Sequence, residues 1–186
     1  LFCRLGTHFL ANEQKTDLLA SLTTQAWSGE ADADHALVGA VLADMVAGAE
    51  QPDGQLEPHI DTINEWMAGD DLAAIHARVL GWQGDDVWLG RARDGLAHGS
   101  PLAATWIFRQ LNQTRTASLE EVFESELILG CNIMRHPEFA EGVRALLVDK
   151  DRSPAWTYAD LASVPAAVVD TFFTAPSAMP ALALPE

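Results

Sequence analysis

Residues 98–127 read HGSPLAATWIFRQLNQTRTASLEEVFESEL, and the local chemistry of this run decides the fold class. Ser100 caps a helix, and Pro101 takes the first helical position, where its missing N–H costs nothing. The segment that follows is apolar almost all round as far as Phe108, which predicts a deeply buried helix. Ser118 and Glu121 form a capping box, each able to satisfy the other's backbone donor. Leu119, Val122, Phe123 and Leu127 then recur at helical spacing.

The same period extends outward. Upstream, Leu18, Leu19 and Leu22 form an amphipathic stretch, and Leu37, Val41 and Met45 a second, widened by Val38 and Leu42. A turn at 50–54 precedes Ile60, Ile63 and Met67 on one helix face. Gly69 breaks that helix, and Asp70 is the expected cap of the next, which carries Leu72, Ile75 and Val79. Asp85 and Asp86 put negative charge at the start of a helix bearing Val87, Trp88, Ala92 and Leu96, where it complements the dipole. Downstream, His136-Pro137 starts a helix with Phe139, Val143, Leu146 and Leu147 on one face. A last helix near Pro165 buries Val168, Val169, Phe172 and Phe173. The expected fold is all-α, with eight or nine helices and at most a short strand within residues 1–10.

The chain has 186 residues, of which 48% are apolar, enough for a globular core. Its 11 basic and 27 acidic residues leave a net charge of −16. That surface repels phosphate backbones, so nucleic acid is not an expected partner. No apolar run reaches the roughly 18–20 residues of a membrane span, and no polybasic patch is present, so no membrane partner is expected. Cys3 and Cys131 lie far apart with no zinc spacing, which suits a reduced, cytoplasmic protein.

Familiar catalytic patterns are missing. The six histidines (His8, His35, His59, His76, His98 and His136) make no HExxH. There is no GxSxG elbow, P-loop or GxGxxG. Cys131 sits in a helical apolar pattern and reads as a packed thiol. The acidic pair Glu120-Glu121 is explained by charge at a helix start. The residues alone therefore describe a helical domain with no catalytic residue and no metal site.

Residues 136–156, HPEFAEGVRALLVDKDRSPAW, are similar to the C-terminal signature of the 3-hydroxyisobutyryl-CoA hydrolase branch of the crotonase (enoyl-CoA hydratase/isomerase) superfamily. Gly99-Ser100-Pro101 with Arg109-Gln110-Leu111, and the run SLEEVF at 118–123, resemble two preceding helices of that family in order and spacing. Thr7-His8-Phe9 resembles the point where the family's core gives way to its C-terminal extension. The likeness is strong over 86–156 and weaker but collinear over 7–79.

The resemblance implies a division into 1–10, the end of a crotonase core, and 11–173, a helical C-terminal domain; residues 174–186, where Pro and Ala dominate, read as a flexible tail. It implies a C-terminal region of an acyl-CoA thioester hydrolase of valine catabolism, contributing CoA-site closure and subunit packing in a homo-oligomer. The substrate would be an acyl-CoA, with CoA part of that substrate and no separate cofactor. The family's oxyanion-hole donors and catalytic carboxylates lie upstream of residue 1, so no catalytic residue is carried over and the chain is expected to be inactive alone. Lys150 is the residue expected near the nucleotide end of CoA, with Arg152 second. The plainer reading of Lys150, a solvated cation at a helix C-terminus, stands beside it. Likewise Arg144 and Glu141 read as a surface i, i+3 pair. Trp106 and Trp156 read as core anchors. Two alternatives stay open: a non-catalytic helical interaction module, and the C-terminal part of an enoyl-CoA hydratase or isomerase. Helices made to cover an absent core should also leave an apolar patch uncovered, and so self-associate.

Overall fold

The computed structural model describes residues 2–46 and 51–177. Among them the chain forms nine α-helices, a π-helical turn and three short 3₁₀ turns, and no strand; residues 2–10 contain only turns and irregular backbone. The fold is all-α. Much of the tail expected at 174–186 lies outside the described residues.

The chain separates into two compact units, Leu1–Ile63 and Asn64–Glu186. In the first, α1 (Lys15–Thr23) packs against α2 (Ala31–Val46). Gln14 Nε2 ties them by donating to the Met45 carbonyl at 2.8 Å. Gly29 adopts φ +80°, and the loop there is closed by Asp34, which accepts from Ser28 N at 2.9 Å and Gly29 N at 3.0 Å. No residue of α1 or α2 is fully buried, because a two-helix layer has only one side to cover.

The second unit holds the core. Its first part is built from α4 (Leu72–Leu80) and α5 (Val87–His98), with the end of α3 (Ile60–Trp66). Trp66, Val79 and Leu89 form a buried cluster flanked by Trp82, Trp88 and Leu96. Trp66 and Trp82 meet edge to face at 5.8 Å, a favoured aromatic geometry. Three expectations are corrected here. The helix ends at Trp66 before Gly69, at φ +85°, so Trp66 is the buried anchor and Met67 is 49% exposed. The cap of α4 is Asp71, whose carboxylate accepts from Ala73 N at 2.9 Å, not Asp70. On α5 the buried residue is Leu89, while Val87 is exposed, because Asp86 caps one residue earlier and turns Val87 to solvent.

The larger core joins α6 (Pro101–Gln113), α7 (Leu119–Arg135) and α9 (Ala166–Phe172). Leu102, Leu129, Val169 and Phe172 are its buried centre, with Trp106, Ile133 and Tyr158 packed around them. The predicted caps form: Ser100 Oγ accepts from Ala103 N at 3.0 Å, and both bonds of the Ser118–Glu121 box are present. Arg109 pairs with Asp170 and lies 4.4 Å over the Phe173 ring, pinning α9 to α6. The expectation that residues 102–111 are deeply buried is corrected. Only the stripe through Leu102 and Gln110 is buried, whereas Ile107 is 45% and Leu111 61% exposed.

Candidate functional site

The segment 136–157 makes the site. His136 caps α8 (Pro137–Val143): its Nδ1 accepts from Glu138 N at 3.3 Å, and Pro137 occupies the first turn. The helix then widens into a π turn, Arg144–Val148, closed by Asp149 N donating to the Arg144 carbonyl at 2.8 Å. Such widening inserts a residue and re-aims the side chains that follow it.

Burial along this segment does not follow apolarity. Glu138 and Ala145 are buried, while Phe139, Leu146, Leu147 and Val148 are exposed. The sequence puts Phe139, Val143, Leu146 and Leu147 on one helix face, and all four line an open cleft of about 850 Å³. Its other walls come from the end of α5 at His98, the start of α6 at Leu102, and the Trp156 ring. Trp156 thus faces the cleft as well as anchoring the chain, and its Nε1 donates to the His98 carbonyl at 2.9 Å. Gly142 lies beneath that ring; a Cβ there would sit 3.4 Å from it.

Ser100, Glu138 and His98, which line the cleft, are already hydrogen-bonded within the chain. The Ser100 hydroxyl donates to Glu138 Oε2, and Thr157 N donates to Oε1 at 2.9 Å. His98 Nδ1 lies 2.8 Å from the Asp94 carbonyl. A buried carboxylate needs such donors to offset the hydration it loses on burial. Ser100 and Glu138 therefore hold the irregular 155–158 segment to the start of α6. The sequence signal for Glu138 was misleading, since an acidic residue in a first helical turn is ordinarily solvated.

The expected i, i+3 pair of Arg144 with Glu141 forms, as one part of a larger charge network centred on Arg144. Arg144 contacts Glu141 at 2.7 Å, Asp149 at 2.6 Å and Asp151 at 2.7 Å, and donates to the Ser153 carbonyl at 3.1 Å. Glu141 also accepts from Ala155 N at 2.7 Å. Hydrogen bonds from Arg144, then that from Ala155, hold the Glu141 carboxyl down at about 2. Asp151 is likewise lowered, by Arg144 first and by Ser153 N second. The three carboxylates raise Arg144 above its ordinary value, with Glu141 the largest cause.

Lys150 stands exposed in the turn between Asp149 and Asp151, at φ +57°, and Arg152 follows at φ +54°. Arg152 lines the cleft and Lys150 does not. Neither is in an ion pair among the described residues. No group of His, Cys, Asp and Glu suited to a metal ion occurs among the described residues, and no helix there is long and apolar enough to cross a membrane.

Comparison with known proteins gives this arrangement a lineage. The chain is 33% identical over 118 residues to the mitochondrial 3-hydroxyisobutyryl-CoA hydrolase of Gallus gallus, covering 63% of this chain and 30% of that protein. It is 28% identical over 170 residues to the same enzyme of Xenopus tropicalis, covering 91% and 43%. Among solved structures, a carnitinyl-CoA dehydratase from Mycobacterium thermoresistibile superposes with a TM-score of 0.73 at 25% identity, over 93% of this chain and 46% of that one. The chain thus spans less than half the length of each of these proteins. The profile of the family described as Enoyl-CoA hydratase/isomerase matches residues 1–173. The chain belongs to the enoyl-CoA hydratase/isomerase family, and within that crotonase group it is 3-hydroxyisobutyryl-CoA hydrolase-like.

Proposed function

We propose that this chain is the C-terminal region of a CoA thioester hydrolase acting on 3-hydroxyisobutyryl-CoA or a similar short acyl-CoA, as in valine breakdown. Its role there is to close the CoA site and to pack against a neighbouring surface in a homo-oligomer. The observation that carries this reading is the exposure of Phe139, Leu146, Leu147 and Val148 beside an open apolar cleft. Covering each such side chain contributes on the order of 1 kcal/mol or more, so a partner surface is the economical explanation. Polarisation and attack at the thioester are assigned to groups outside this chain, since Ser100, Glu138 and His98 in the cleft are engaged in holding the fold. Lys150 offers its cation to the phosphates at the nucleotide end of the substrate. The two reduced thiols suit a cytoplasmic or other reducing compartment; the hydrolases it resembles are named as mitochondrial.

A hydratase or isomerase is the second reading, favoured by the structural likeness to a dehydratase. One assay separates them. The polypeptide carrying this region together with a crotonase core is supplied with 3-hydroxyisobutyryl-CoA and, separately, with an enoyl-CoA. Release of free CoA thiol without enoyl-CoA hydration is expected. Hydration without thioester cleavage would overturn the hydrolase reading in favour of the second.

A further inference from the structure

We propose that Arg144 is a positioning residue that acts through Lys150, by holding the 149–153 turn in an unfavourable backbone conformation that presents the cation. Two non-glycine residues within three positions, Lys150 and Arg152, adopt left-handed φ values of +57° and +54°. L-residues avoid that region, and such conformations persist only where surrounding structure over-determines them. Here one guanidinium supplies four of the contacts that hold the turn. Arg144 Nη1 donates to Asp149 at 2.6 Å and to Asp151 at 2.7 Å, the residues on either side of Lys150. Its Nη2 reaches Glu141 and the Ser153 carbonyl at 2.7 and 3.1 Å. Two backbone N–H donors complete the closure: Arg152 N donates to the Ala145 carbonyl at 3.0 Å, and Ser153 N to the Asp151 side chain, at Oδ1, at 2.9 Å.

The network also removes competition. Asp149 and Asp151 are the nearest carboxylates to Lys150 in sequence, and both are spoken for by Arg144. Lys150 is thereby left as an exposed cation in an otherwise acidic chain. A lysine could not substitute for Arg144, because an ammonium lacks the planar fork that meets several acceptors at fixed angles.

This inference rests on the reading of Lys150 as a contact to the nucleotide end of an acyl-CoA, and the test separates the two. In the whole hydrolase polypeptide, KM and kcat are measured for 3-hydroxyisobutyryl-CoA and for the pantetheine thioester of the same acyl group, which lacks the nucleotide. The variants are Arg144→Lys, Lys150→Ala and the double variant. Arg144→Lys should raise KM for the CoA thioester about tenfold with kcat unchanged, leave the pantetheine thioester unaffected, and add nothing in the Lys150→Ala background. Amide exchange at Arg152 and Ser153 should quicken in Arg144→Lys and stay slow in Lys150→Ala. A tenfold effect of Lys150→Ala with none from Arg144→Lys would refute the positioning role alone. No effect of Lys150→Ala would refute the underlying reading of Lys150. Equal loss on both thioesters would mark Arg144 as general scaffolding and overturn the proposal.

Discussion

Replacing Leu146 and Leu147 together by glutamine tests whether the open cleft is a mating surface. Both side chains are 62% exposed, so folding of this chain has covered little more than a third of either. Fully burying a leucine contributes about 1.5–3 kcal/mol. Covering the remaining three-fifths would therefore contribute about 1–2 kcal/mol each, or about 2–4 kcal/mol for the pair. That corresponds to roughly 30- to 1,000-fold in an association constant at about 1.4 kcal/mol per factor of ten. Glutamine keeps the length and much of the helix propensity of leucine, so the folded chain itself should lose less than about 1 kcal/mol. Sedimentation equilibrium of the wild-type chain should show self-association through this face, and the double variant should be at least about 30-fold weaker. Urea unfolding of both, at a concentration where they are monomeric, supplies the control. Unchanged association with a loss above about 3 kcal/mol in stability would refute the reasoning, since the leucines would then be internal packing.

Two further outcomes are expected. The Glu141 carboxyl is held at about 2, below its ordinary 4.5, so it favours the ionised form in the folded chain and its stabilisation is present above about 4.5 and lost as pH falls toward about 2; urea midpoints of wild type should drop across that interval, and those of Glu141→Gln should fall less steeply. Leu102 is 1% exposed and Leu111 61% exposed, so Leu102→Ala should cost about 2–5 kcal/mol and Leu111→Ala less than about 1 kcal/mol by the same unfolding measurement.

The fold class and most helix starts were legible before any coordinates. Ser100, Asp86, Ser118 and His136 each cap the helix that follows them. These interactions join residues two or three positions apart, so the spacing in the sequence contains them. The choice between Asp70 and Asp71 was not legible, because either carboxylate is within reach and backbone geometry selects one. Lys150 was singled out by family likeness, and its left-handed backbone had no sequence signal, being neither glycine nor asparagine.

What the sequence by itself determined is the inventory of helices, their caps and the signature at 136–156 that marks the family. Only the tertiary structure decided which faces are covered. Glu138 is drawn inside by Ser100, 38 residues away, and by Thr157, 19 residues away, while Leu146 and Leu147 remain outside. Arg144 gathers three carboxylates because the π turn and the left-handed residues bring Asp149 and Asp151 back over it. The physical reason is common to Glu138 and the two leucines. Periodicity records that a helix has an apolar face, but burial depends on which distant segment arrives to cover it, and no local spacing encodes that arrival.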